Sequence, residues 1–134
     1  MSTIINQSKK FDASIDRVFK AIADSTEHSA FTGAPAKLSD KPGDAFTTHG
    51  GAIEGRILDL VPNERIVQAW RVAHWPQGVY SIVSYAFSGD STSAEIALTH
   101  SGLPEEEVGH IAQGWHNMYW EPMDRYFAAV GGNA

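Results

Sequence analysis

The 134-residue sequence contains no cysteine, which excludes disulfides, thiolate-bound metals and a cysteine nucleophile. It has no apolar run near the ~18 residues that a membrane-spanning helix needs. The stretch Met1 to Lys10 lacks the basic start and apolar core of a secretory leader. Positive charge is scarce too: 10 Lys and Arg against 16 Asp and Glu give a net charge of -6, and the bases form no cluster. Such a surface repels phosphate backbones and anionic bilayers, so neither nucleic acid nor membrane is expected as a partner. Repeats, linkers and low-complexity tracts are missing, so residues 1–134 read as one domain with room for a real core. These absences leave a soluble, cytoplasmic protein as the expectation.

What is present is organised around the C-terminal segment, Leu103 to Val130. Val108, Ile111, Ala112, Trp115, Tyr119, Pro122, Met123 and Tyr126 recur at three- and four-residue steps, the pattern of one long amphipathic helix. Pro104 and the acidic Glu105-Glu106-Glu107 mark its start, Gly131-Gly132 its end, and Pro122 a kink within it. Upstream, Ile4, Ile5 and Phe11 mark a short first strand. Two short helices follow: one begins near Ile15 with Ser14 or Asp12 as its cap, and the other spans Ser25 to Phe31 behind Asp24. A short edge strand at Ala36 to Leu38 precedes a meander whose strands are expected at Ala45–His49, Ile53–Val61, Arg65–Val72, Tyr80–Phe87 and Thr92–His100, separated by turn-forming clusters.

Short connections make sequential strands antiparallel, so the class is α+β: a curved antiparallel sheet wrapped around the long helix, with two short helices after the first strand. Alternation places Leu58, Leu60, Ile66, Gln68, Trp70, Val72, Ile82, Ser84, Ile96 and Leu98 toward the helix. Along Tyr80 to Phe87, however, Val83, Tyr85 and Phe87 make the other face equally apolar.

Chemistry-bearing patterns are sparse. The six histidines, His28, His49, His74, His100, His110 and His116, show no i, i+4 pair with an intervening Glu, so no metal or other cofactor is expected. Serine is plentiful, but there is no Gly-x-Ser-x-Gly elbow. The carboxylates at Glu105-Glu106-Glu107 and at Asp59 with Glu64 read as solvated surface, and no catalytic residue is assigned.

The segments Trp70-Arg71, Trp75-Pro76-Gln77-Gly78-Val79-Tyr80-Ser81, His100-Ser101-Gly102-Leu103-Pro104 and Gly114-Trp115-His116-Asn117-Met118-Tyr119-Trp120 occur in an order and spacing that covers nearly the whole chain. In these the sequence resembles the C-terminal domain of the activator of the heat shock protein 90 ATPase, within the START-like (SRPBCC) superfamily. The resemblance implies a helix-grip fold with a cavity between sheet and helix. Superfamily members bind lipids, hormones or polyketides there, some catalyse cyclisations or hydrolyses, and the eukaryotic activator binds a chaperone. The separate N-terminal domain of that activator has no counterpart in this sequence.

The leading expectation is therefore a non-enzymatic module holding a small hydrophobic or amphipathic molecule, lined by Phe31, Phe46, Gln68, Trp70, Ser84, Trp115 and Tyr119. Polar groups facing an apolar interior need partners, which a ligand or a trapped water would supply. A cavity of at least about 300 Å³ is expected if this is so, whereas a smaller one makes the aromatics core and the binding-module reading fails. Phe31 to Gly43, rich in Gly, Pro and small residues, is the expected lid. Binding to a heat shock protein 90 type ATPase is the alternative, and a cyclase or hydrolase the second alternative.

Overall fold

The computed structural model describes residues 3–130. A six-stranded, fully antiparallel sheet has the order β1-β6-β5-β4-β3-β2. Its strands are β1 (Ile5–Phe11), β2 (Ala45–Thr48), β3 (Ile53–Val61), β4 (Arg65–Val72), β5 (Ser81–Gly89) and β6 (Ala94–Ser101). Between β1 and β2 lie α1 (Ile15–Ala23), capped by Ser14, and α2 (Ser25–Thr32), capped by Asp24. Each cap side chain accepts from a first-turn backbone N–H, as the Ser and Asp positions predict.

The C-terminal helix lies against the inner face of this sheet, with Trp115 and Tyr119 buried and Asn117 and Glu121 exposed, as their spacing predicts. It begins later than expected. Glu105–Glu107 form a 3₁₀ turn, and the α-helix proper starts at α3 (Val108–Trp115). Gly131-Gly132, the expected stop, lies outside the described residues.

The expected irregularity at Pro122 takes the form of a π-helical turn, His116–Trp120, placed just before α4 (Glu121–Val130). Proline has no N–H for the carbonyl four residues back and crowds it, and a wider turn at that place relieves both. The turn also shifts the helix phase. Trp120 and Phe127, outside the expected stripe, are buried beside Tyr119 and Met123. Gln7 on β1 ties this turn to the sheet edge: its Oε1 accepts from Trp120 Nε1 at 2.8 Å and its Nε2 donates to Ala112 O at 3.0 Å.

The sheet corrects three inner-face assignments, Leu58, Ile82 and Ser84. A β-bulge between Ile57 and Asp59 leaves Leu58 without a cross-strand partner and nearly half exposed, while Ile57 before it is buried and Leu60 after it partly so. One extra residue resets a period of two. On β5, Ser81, Val83, Tyr85 and Phe87 face the core, and Ile82 and Ser84 belong to the outer phase. Both faces of β5 are apolar in sequence, and the larger aromatic set occupies the interior. Ile66, Gln68, Trp70, Ile96 and Leu98 are buried as assigned.

The strand at Ala36 to Leu38 shrinks to one bridge, Lys37 with Thr47. Gly55 explains where Phe46 goes. A Cβ on Gly55 would meet Ala69 O at 1.8 Å and the Phe46 ring at 2.9 Å, so the bare backbone lets that ring approach the strand closely.

Candidate functional site

Trp115 projects from α3 into the centre of the sheet, where Trp70 meets it with ring centroids 6.1 Å apart. Tyr85, Tyr119 and Trp120 complete the aromatic cluster at 5.8, 4.5 and 5.8 Å. Two buried hydrogen-bond chains run through it, and each is fixed in direction by its ends.

In the first chain Trp115 Nε1–H donates to His100 Nδ1 at 3.1 Å. Burial lowers the His100 pKa to about 3, so the ring is neutral and its proton sits on Nε2, facing Ser81 Oγ at 2.7 Å. Ser81 passes its own proton to Trp70 O at 2.8 Å. The serine–histidine pair thus runs opposite to nucleophile activation, because the imidazole donates to the hydroxyl instead of accepting its proton. Protein groups thus supply both of the bonds that the buried imidazole needs.

In the second chain His28 Nδ1 faces Ile22 O at 3.2 Å. A carbonyl only accepts, so Nδ1 carries the proton. Burial holds the His28 pKa down to about 4, which leaves Nε2 as an acceptor for the Tyr119 hydroxyl at 3.2 Å. Tyr119 has then used its proton, and burial keeps it from ionising. Its oxygen accepts from His49 Nε2 at 3.3 Å. His49 is half-buried, sits at φ 52 beside Gly50 and Gly51, and is also pushed down in pKa by burial. Positive φ is uncommon outside glycine, with histidine among the side chains that tolerate it best, and such positions recur at working sites.

Beside His49 opens a cleft of about 210 Å³ between the β3–β4 end of the sheet and the helix. Its walls are Ile53, Trp70, Val72, Ile111, Gly114, Trp115, Met118 and Tyr119, and its mouth carries His49, Ala52, His74, Glu107 and His110. Arg71 supports the adjoining loop. Nearly buried, it pairs with Glu54 and donates to Trp75 O at 2.6 Å and Val79 O at 3.2 Å, while Trp75 Nε1 donates to Glu107 at 2.8 Å. A larger hollow, about 610 Å³, is a surface groove edged by Lys10, Asp12 and the Lys9–Asp124 ion pair.

Of the residues expected around a ligand, Trp70, Trp115 and Tyr119 line this cleft and four do not. Phe31 packs behind it on His28 and Tyr119, Phe46 covers Gly55, and Gln68 is buried opposite Ile57 and Val83. Ser84 shares the outer face with Ile82. The volume also falls short of about 300 Å³, so by that criterion the aromatics read as core and the cavity first expected is not reached. The expected lid is pinned elsewhere: Leu38 N bonds Ser25 Oγ, Ala36 N bonds Ser29 Oγ, Gly50 N bonds Pro35 O, and none of Phe31 to Gly43 walls the cleft. His49, Ile53, Val72, Ile111 and Met118 went unassigned; the Gly50-Gly51 pair was the one sequence signal pointing at His49. Among the described residues no helix is long and apolar enough to cross a membrane.

Residues 12–128 match the profile of the family described as Activator of Hsp90 ATPase homolog 1-like protein. The chain is 29% identical over 123 residues to the human activator of 90 kDa heat shock protein ATPase homolog 1, covering 92% of this chain and 36% of that protein. It is 37% identical over 89 residues to the Dictyostelium discoideum homologue, covering 64% and 23%. The chain thus spans about a third or less of the length of these relatives. The crystal structure of an HSP90 activator from Plasmodium falciparum superposes with a TM-score of 0.87 at 18% identity, over 94% of this chain and 96% of that one. That likeness establishes the helix-grip fold.

The two buried histidines predict acid sensitivity. Unfolded, each takes up a proton near pH 6.5, whereas folded His28 resists until about pH 4 and His100 until about pH 3. The unfolded state therefore binds more protons between those limits, and stability falls as pH falls below about 6.5. Together they remove on the order of 5 kcal/mol by about pH 4.5, comparable to a whole domain's stability. Urea midpoints across that range should drop steeply in the native protein and less steeply in His28→Gln. Equal slopes would contradict neutral burial.

Proposed function

Given that the chain belongs to the Activator of Hsp90 ATPase homolog 1-like family, we propose that it is a non-catalytic recognition domain taking one ring-sized apolar group into the cleft between β3, β4 and the C-terminal helix. The observation that carries this is the cleft: about 210 Å³ with a mainly apolar wall. An apolar cavity of about 150 Å³ is enough for benzene, so this one accommodates a substituted single ring. Hiding roughly 150 Å² of such a guest at about 25 cal/mol per Å² contributes about 4 kcal/mol before the cost of association. Dissociation constants of about 1 mM or weaker are expected.

Gly114 supplies the test. It lines the cleft, and a Cβ built there meets nothing within 4 Å. A β-carbon at Gly114 therefore has room, and Gly114→Leu, which also brings the better helix former, is the variant expected to fill the cleft. Titrating the protein with p-xylene should give saturable NMR shifts at Ile53, Val72, Ile111 and Met118, abolished in Gly114→Leu at undiminished stability. Shifts that scatter over the surface, or survive the substitution, contradict the proposal.

A second reading, binding to a heat shock protein 90 type ATPase, is favoured by the match over residues 12–128 and by the names of the relatives. It predicts that saturating domain raises ATP turnover by such a chaperone. Unchanged turnover counts against it.

A further inference from the structure

We propose that the cleft selects single-ring guests bearing a hydrogen-bond donor, such as a phenol, and that His49 Nδ1 is the acceptor that anchors them. This deepens the cleft reading and rests on it. The argument is one of direction. Ile22 O can only accept, which sets His28 as the Nδ1–H form, Tyr119 as donor to His28 Nε2, and His49 as donor to Tyr119 through Nε2. A neutral imidazole has one proton, so His49 Nδ1 is left with a lone pair, and among the described residues no protein group donates to it. The residue lines the cleft.

Two further features fit an acceptor held ready. The positive φ of His49 commits backbone strain to this placement, and Gly50 and Gly51 after it also take positive φ, forming the turn that presents it. The chain behind His49 is cooperative: donating through Nε2 raises the basicity of Nδ1, and His28 and Tyr119 are buried so that their bonds are not shared with water. At the mouth Glu107 accepts from Trp75 Nε1 through Oε1, the same oxygen that lies 3.6 Å from His74 Nε2, and His110 is exposed on the helix. Glu107 Oε2 is a second acceptor at the mouth, which substitution of His49 distinguishes from the imidazole.

The polarity matters for selectivity. A plain apolar cleft prefers p-xylene to p-cresol, because the hydroxyl must shed water for nothing in return. A site with a waiting acceptor reverses that order, since it repays the donor and leaves the acceptor unpaired when the guest has none.

NMR titrations should rank p-cresol several-fold tighter than p-xylene, with 4-methylanisole, which can only accept, no tighter than p-xylene. The p-cresol titration should move the His49 Nδ1 resonance. In His49→Gly, which takes positive φ freely and carries no side-chain acceptor, the ratio of p-cresol to p-xylene affinity should fall to about one or below. If p-xylene binds more tightly than p-cresol to the native protein, if 4-methylanisole matches p-cresol, or if the native ratio survives in His49→Gly, the anchor is wrong while the apolar cleft stands. If no guest binds, both fall.

Discussion

Trp115 and His100 share a hydrogen bond 3.1 Å long at the centre of the interior, and much of the architecture follows from it. Burying a tryptophan of the helix against a sheet gains apolar contact, but it also buries an indole N–H, which must find an acceptor. A neutral imidazole on β6 is that acceptor, and its other nitrogen must then find an acceptor of its own in Ser81, which finds one in Trp70 O. Each step fixes the next. The chain crosses from the helix through β6 and β5 to β4, so the position of the helix and the order of the central strands are specified by one satisfied polar network inside an aromatic core. A network of this kind is worth having only when complete.

The same logic separates the interior into a sealed half and an open half. Around His100 every polar group is answered by the protein, and the serine–histidine pair that catches the eye in a search for chemistry is spent on structure. Around His49 the chain Ile22–His28–Tyr119–His49 ends at the cleft with one imidazole nitrogen unused. Function is therefore sought where the sequence of donors and acceptors runs out, at the β3–β4 end of the sheet, and not at the most buried cluster.

Elements were legible in the sequence where one period ran undisturbed. β4 follows its alternation, the caps of α1 and α2 follow Ser14 and Asp24, and Trp70 with Trp115 follows from facing phases. What escaped were the places where a period is reset by one residue. The bulge at Leu58 and the π turn at His116–Trp120 each insert a phase shift that no local composition announces, and they decide whether Leu58, Trp120 and Phe127 face in or out. β5 was ambiguous because both faces are apolar. The candidate site suffered from the same cause: Ser84 followed the wrong phase of β5, Phe46 was diverted over Gly55, and His49 owes its place to a turn whose geometry depends on positive φ at consecutive residues.

The central claim is that buried, oriented histidines set both the helix position and the open acceptor, and their tautomers report it directly. Long-range proton–nitrogen correlation spectra of the imidazole rings near neutral pH should show His28 as the Nδ1–H form and His49 and His100 as Nε2–H forms. His28 and His100 should stay neutral on acidification to about pH 5, well below the ordinary histidine range. Finding His100 protonated near pH 6.5, or His28 and His49 in the opposite tautomers, would contradict the account.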